Sequence, residues 1–275
     1  MMRRKFTQQD IDATISLYIN GFSQKEIAIR LNCSQVSIST ILIRNKIPTR
    51  IGKKIIYNDV NLEFFKNINS EKNAYFLGLL YADGCVQISN TRYQITLKLK
   101  SNDQSIIEQF RDIMSPSSPI RISYEKYSYF RINQKKICEQ LIHHGCVPNK
   151  SLILEFPTTV PDELIHHFLR GYSDGDGTIY INHVKNRQGK IYDNTIWKFV
   201  STKQFCETAA KILREELDIN CSQSLSSPKT NDMTTTLIVG GNLQVRKALD
   251  WLYKDATVYL PRKYEKYLEF KNKTK

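Results

Sequence analysis

The sequence is short of acidic residues. Only 27 Asp and Glu stand against 40 Lys and Arg, so the chain carries a net charge of +13 at neutral pH. That deficit favours a polyanionic partner, nucleic acid before a membrane surface, and says nothing about fold. Long apolar runs are also missing, which excludes a bilayer-spanning helix and leaves no membrane partner to expect. The opening MMRRKFTQQD has basic residues with no apolar segment behind them, so it does not read as a secretory signal. Cysteine is sparse and unpatterned. Cys33, Cys85, Cys138, Cys146, Cys206 and Cys221 form no CxxC pair or other zinc-ligand spacing, and read as reduced, mostly buried intracellular thiols. The adjacent pairs His143-His144 and His166-His167 do not supply a zinc site either, because neighbouring residues of a helix or strand point in different directions. At 275 residues the chain has material for one large domain or two to three small ones.

What is present is a repeat. FLGLLYADG, Phe76–Gly84, returns in altered form as LRGYSDGDG, Leu169–Gly177. Gly78 and Ala82 sit at i and i+4, as do Gly171 and Gly175, so each copy predicts a helix with one slim face. Two such faces allow backbones to approach closely. Gly84 and Gly177 fall where a helix would reach its C′ position. Beyond them Val86 and Ile88, and likewise Ile179 and Ile181, alternate with polar neighbours as strands do. If the two helices pack together, Asp83 and Asp176 come side by side at their C-terminal ends. The helix dipole is negative there, so two carboxylates need a compensating cation.

The paired motifs resemble those of LAGLIDADG homing endonucleases in the two-motif, single-chain form, over roughly residues 70–270. The resemblance implies that Asp83 and Asp176 bind catalytic Mg²⁺ (or Mn²⁺), with backbone carbonyls near Gly84 and Gly177 completing the coordination. It implies double-strand hydrolysis of DNA by one monomeric chain, one motif contributing to each cut, with short 3′ overhangs. Departures from the family pattern are Phe76 and Leu77 in the first copy and Arg170 in the second, all bearing on helix packing. Tyr81 replaces an Asp that the second copy keeps as Asp174. The family also places a basic or polar residue near each active centre. Lys135 is expected in that role, with its counterpart near the uncharged Asn242, and Lys98 and Lys203 are further candidates; that asymmetry suggests unequal cutting of the two strands.

Residues 1–50 carry a separate pattern. Thr7 with Asp10 and Ser23 with Glu26 form capping boxes, Gly21 stops the first helix, Asn32-Cys33 makes a turn, and Ser34 caps a third helix. Three short helices with this spacing describe a helix-turn-helix similar to that of resolvases. Gln35, Ser37, Ser39, Thr40 and Arg44 on the third helix are then the expected DNA contacts. Residues 51–70 read as a basic linker in which Lys53 and Lys54 suit the DNA backbone.

Residues 71–160 and 161–275 predict two copies of one half-domain. In the first, Gln94–Lys100 alternates strictly, a helix runs through Ile106 and Phe110, a second strand covers Tyr127–Asn133, and a helix passes through Ile137 and Leu141. Trp197–Val200, Phe205–Leu217, Thr235–Val239 and Leu243–Leu252 repeat that order. The fold class is therefore α/β (α+β), a pseudo-two-fold pair of αββαββα half-domains whose antiparallel sheets, by the resemblance, form a saddle over double-stranded DNA. The exposed side of the first sheet would present Arg92, Gln94, Thr96, Lys98, Lys100, Tyr129 and Arg131, with no acidic residue among them, which fits major-groove readout. Lys198 is the corresponding contact in the second half. Arg262 and Lys263, in the basic C-terminal run, are expected at the DNA backbone or on a frayed, solvated end. Two readings from other classes stay open: a transcription regulator on the same scaffold, and an intron RNA maturase with host intron RNA as partner. The expected compartment is the cytoplasm of a bacterial or phage-infected cell rather than an organelle matrix.

Overall fold

The computed structural model describes residues 6–48, 59–90, 92–123, 126–185, 187–225 and 234–273. Lys53 and Lys54 lie outside them. The chain divides into two compact units, residues 1–61 with 111–121 and residues 62–110 with 122–275.

In the first unit α1 (Gln8–Ile19), α2 (Gln24–Arg30) and α3 (Gln35–Arg44) follow their capping signals. Thr7 and Ser23 each exchange hydrogen bonds with the residue three on, and Ser34 accepts from the Ser37 amide at 3.1 Å. Tyr18, Ile27, Ala28, Ile38 and Leu42 form one small core between the three helices. Asn32 turns the chain between α2 and α3 with φ of 48°.

The second unit holds both half-domains. The first half is α4 (Glu71–Asp83), β1 (Gly84–Ser89), β2 (Arg92–Lys100), α5 (Gln104–Met114), β3 (Arg121–Ser123), β4 (Tyr127–Ile132) and α6 (Lys135–His143), with α5 and β3 divided between the units. The second is α7 (Ile165–Asp176), β5 (Thr178–Lys185), β6 (Ile191–Thr202), α8 (Lys203–Leu217), β7 (Ser222–Leu225), β8 (Thr234–Gly240) and α9 (Asn242–Leu252), followed by α10 (Pro261–Lys273). Each half makes a four-stranded sheet, β1-β2-β4-β3 and β5-β6-β8-β7, so the predicted mixed architecture with two antiparallel sheets is the one the chain adopts. The short β3 and β7 have no apolar alternation to announce them. Ile95, Leu97 and Leu99 in β2, and Trp197 and Phe199 in β6, are buried, leaving the alternate residues on the outer face. Among the described residues no helix is long and apolar enough to cross a membrane.

α4 and α7 touch backbone to backbone. A Cβ built on Gly78 would lie 2.0 Å from the Phe168 carbonyl oxygen, and one on Gly171 would lie 2.0 Å from that of Tyr75. No side-chain rotation relieves a clash with backbone. Gly171→Ala is therefore expected to destabilise the chain by ~3 kcal/mol or more, read as a lower urea midpoint. An unchanged midpoint would mean that the helices tolerate separation.

Candidate active site

The glycines that close the two motifs do not take the left-handed conformation expected of helix C′ residues. Gly84 has φ −80° and ψ 150°, Gly177 φ −82° and ψ 158°, so both are extended and lead straight into β1 and β5. Space explains them instead: an added Cβ would stand 2.5 Å from the Leu80 carbonyl oxygen at Gly84 and 2.4 Å from that of Ser173 at Gly177.

Asp83 and Asp176 are the last residues of α4 and α7. The slim interface brings them together, since a Cβ on Gly175 would lie 2.8 Å from Asp83 Oδ2. Burial, and then the charge of Asp176, push the Asp83 carboxyl up to about 6. Asp176 is raised too, by burial, with Lys150 and Lys263 opposing.

Two lysines absent from the expected catalytic set stand at these carboxylates. Lys150 and Lys263 are 9% and 7% exposed. The Lys150 ammonium donates to the Gly84 carbonyl, and the Lys263 ammonium donates to that of Gly177. Lys263 also reaches the Ser173 carbonyl at 3.5 Å. Burial, and then Arg262, bring the Lys263 pKa down to about 8. Lys263 is thus no outward-facing DNA contact, and the C-terminal run is no frayed end: α10 buries Lys263, Tyr267 and Phe270. The signal that would have found the pair is a second repeat, the Pro-x-Lys triplets Pro148–Lys150 and Pro261–Lys263.

Of the expected lysines, Lys135 lies away from the motif end. β1 leaves the motif at Gly84, β2 returns so that Leu97 pairs with Gly84, and β4 runs away again until Ile132 pairs with Ile95. Lys135 follows β4 and lies over the Tyr93 ring, 5.6 Å from its centroid. Tyr93 is four residues from Leu97 along β2, about 13 Å from the motif end at strand rise. Lys135 is exposed and paired with Glu139 at 3.5 Å. Lys203 opens α8, exposed, 3.7 Å from Glu207. Asn242 is structural, its Oδ1 accepting from the Thr195 amide at 2.9 Å. Lys98 is exposed on the outer sheet face, beside the Leu97 that pairs with Gly84, with its ammonium 4.6 Å from the Tyr127 ring centroid.

On that face Arg92, Lys98 and Lys100 are exposed, while Thr96, Tyr129 and Arg131 are half-buried. Arg131 Nε donates to Thr96 Oγ1 at 3.3 Å and stacks over the Tyr129 ring. Gln94 is covered rather than open, 2% exposed, because it donates to Gln87 at 3.1 Å and accepts from Arg92 at 3.0 Å. Lys198 lies over the Tyr180 ring at 5.3 Å. Arg262 Nε bonds both Asp103 oxygens, at 2.9 and 3.0 Å. In the first unit, Gln35, Thr40 and Arg44 are exposed on α3, and Ser37 and Ser39 are half-buried.

Arg170 and Tyr81, two of the departures within the motifs, anchor the site together with the retained Asp174. Arg170 is fully buried; it donates to Glu71 at 2.6 Å, to the Leu252 carbonyl at 2.8 Å and to the Val258 carbonyl at 3.1 Å. The buried Asp174 accepts from Tyr75 at 2.8 Å and from the Leu260 amide at 2.7 Å, next to the start of α10. Tyr81, in the matching place of the first copy, donates to the His144 carbonyl. These bonds tie α4 and α7 to the segments that deliver Lys150 and Lys263.

Two carboxylates at helix C-termini, both raised by burial and Asp83 also by the charge of Asp176, form a donor set suited to a hard divalent cation. Among the described residues no cluster of three or more His, Cys, Asp or Glu exists. Further ligands would therefore be carbonyls, water or a substrate phosphate, and each glycine carbonyl keeps a second lone pair beside its lysine bond. The sign of the coupling follows from Asp83. Its folded pKa is above 3.8, so its ionisation opposes folding as pH rises from about 4 to about 6. A bound cation relieves that opposition only once the carboxyl is ionised. Mg²⁺ is expected to raise the melting temperature clearly at pH 7.5 and hardly at pH 5; equal shifts would place the ion elsewhere.

No protein-family model matches the chain. It is 27% identical over 146 residues to the DNA-directed RNA polymerase subunit Rpo1C of Methanocaldococcus jannaschii, which covers 50% of this chain and 15% of that protein. It is 30% identical over 172 residues to the probable translation initiation factor IF-2 of the same organism, covering 60% and 13%. The chain thus spans only a small fraction of the length of these curated relatives. Among solved structures, meganuclease I-SmaMI bound to uncleavable DNA superposes with a TM-score of 0.55 at 11% identity, over 74% of this chain and 90% of the other. The LAGLIDADG homing endonuclease I-LtrWI bound to target DNA gives 0.51 at 13%, over 78% and 92%. The fold is a pseudo-symmetric α/β scaffold built on two touching helices. It is the fold of the LAGLIDADG homing endonucleases.

Proposed function

We propose that the chain is a metal-dependent, site-specific double-strand DNA endonuclease of the homing type. The observation that carries this reading is the pair Asp83 and Asp176, delivered side by side by backbone-touching helices and each backed by a buried lysine. Mg²⁺ or Mn²⁺ held there would supply the activated water and the charge relief that phosphodiester hydrolysis needs. The chain's own residues do the rest. The carboxylates hold the ions; Lys150 and Lys263 keep positive charge at the two centres; Arg262, fixed by Asp103, adds a guanidinium near Asp83. The outer sheet faces place the duplex, and α3 enters a major groove as the recognition helix of a helix-turn-helix, with Gln35, Thr40 and Arg44 foremost. Lys53 and Lys54 complete the DNA contacts along the linker. The helix-turn-helix at 1–50 and the half-domains at 71–160 and 161–275 are the functional divisions of this reading.

The two curated relatives support mobility. A polymerase subunit and an initiation factor share little by name, yet each carries a minor segment like this chain. A segment common to two such proteins suits a mobile element that inserts into host genes. The test is a plasmid carrying the uninterrupted host allele, incubated with the protein in Mg²⁺ and then in EDTA. Linear product in Mg²⁺ alone is expected. Binding without scission in either condition would leave the transcription regulator or the intron RNA maturase.

A further inference from the structure

The two sheets share one register, so their outer faces can be compared position by position. Counted from the closing glycines, Cys85 pairs with Thr96 as Thr178 pairs with Lys198, which makes Thr96 and Lys198 equivalent. Arg131 lies across from Thr96, and Ile238 lies across from Lys198. Two residues further along, Lys98 corresponds to Val200; two residues back, Gln94 corresponds to Ile196, and beyond it Arg92 to Asn194.

The chemistry of the faces therefore diverges. The first sheet offers Arg92, Lys98 and Arg131, long cationic donors matched to the guanine edge. At the same places the second offers Asn194, Val200 and Ile238, and Ile196 where the first has Gln94. Val200 is 39% exposed, and Ile196 and Ile238 are half-buried, so methyl and methylene groups stand where the first sheet holds the charges of Lys98 and Arg131 and the amide of Gln94. Such groups meet one feature of the major groove, the C5 methyl of thymine, while Asn matches adenine. Among the described residues of this face one cation remains, Lys198, drawn over the Tyr180 ring.

Resting on the endonuclease reading, we infer that the two halves of the target differ in base composition: guanines lie under β1–β4, and a run of A·T pairs, recognised through thymine methyls, lies under β5–β8.

Selection of bound duplexes from a randomised library by the full chain in Ca²⁺ tests this. One guanine-bearing half and one A·T-rich half are expected. Halves of equal composition would overturn the inference and leave the nuclease reading standing. Failure to enrich any sequence would instead sink the DNA-binding reading itself. Replacing thymine by deoxyuridine, which removes only the methyl, should weaken binding roughly fourfold per contacted base in the A·T half, and not at all in the other. Equal loss in both halves counts against the proposal. Ile238→Arg should move one position of the A·T half toward guanine by roughly tenfold. Val200→Lys, at a more open position, makes the same check should Ile238→Arg fail to fold.

Discussion

Asp83→Asn and Asp176→Asn should each lower double-strand cleavage by roughly a thousandfold or more, the scale of removing a principal charge-stabilising group, while target binding stays intact. The amide keeps the shape of the carboxylate and loses the charge that holds the cation. Stability gives a second readout. Asp83 ionises in the fold only near pH 6, because it is buried and faces Asp176. At pH 5 it is largely protonated, and the Asn variant should melt where the parent does. At pH 7.5 without divalent cation the parent holds two repelling carboxylates, and the Asn variant should melt higher. With Mg²⁺ the order should reverse, since only the parent gains from the ion. Retained scission in either variant would remove the substituted residue from catalysis. A lower melting temperature at pH 7.5 without metal would mean that Asp83 serves packing alone.

The helix pair was legible because it depends on residues three and four apart in one segment. Gly78, Ala82, Gly171 and Gly175 state their own spacing, and two copies in one register rule out coincidence. The strands bordering the core were equally plain, since Gln94–Lys100 and Thr235–Val239 alternate over their length. What escaped was whatever depends on distant segments meeting. Lys150 and Lys263 are brought to the motif ends by loops, and periodicity carries no trace of that. Chain order after a strand carries no information on proximity: Lys135 follows β4, and β4 runs away from the motif. Arg170 looked like a packing defect, and Gln94 looked open to solvent. Both carry polar groups that neighbours far off in sequence or across the sheet satisfy. The C-terminal run read as solvated from its lysines, although Tyr267 and Phe270 give it a buried face.

Lys263→Met and Lys150→Met carry the second large effect. Each removes one ammonium from one motif end and leaves a side chain of similar reach. Because the lysines stand at separate carbonyls, Gly177 for one and Gly84 for the other, loss of either should slow one strand more than its complement. Supercoiled target should then pass through a persistent nicked circle, with linear product delayed by roughly a hundredfold, the lower range for deleting one charge-stabilising donor at a buried site. The pH profile separates the roles a lysine can play here. Burial and Arg262 bring Lys263 to about 8, below its ordinary value, so it is charged at pH 7 and sheds its proton as pH climbs past 8. If it acts as a cation steadying phosphate charge, cleavage should decline above pH 8, and Lys263→Met should flatten that limb. If it acts as a base, the rate should instead rise through the same range. Linear product forming at the parental rate in both methionine variants would show that the two ammonium groups only brace the backbone at Gly84 and Gly177.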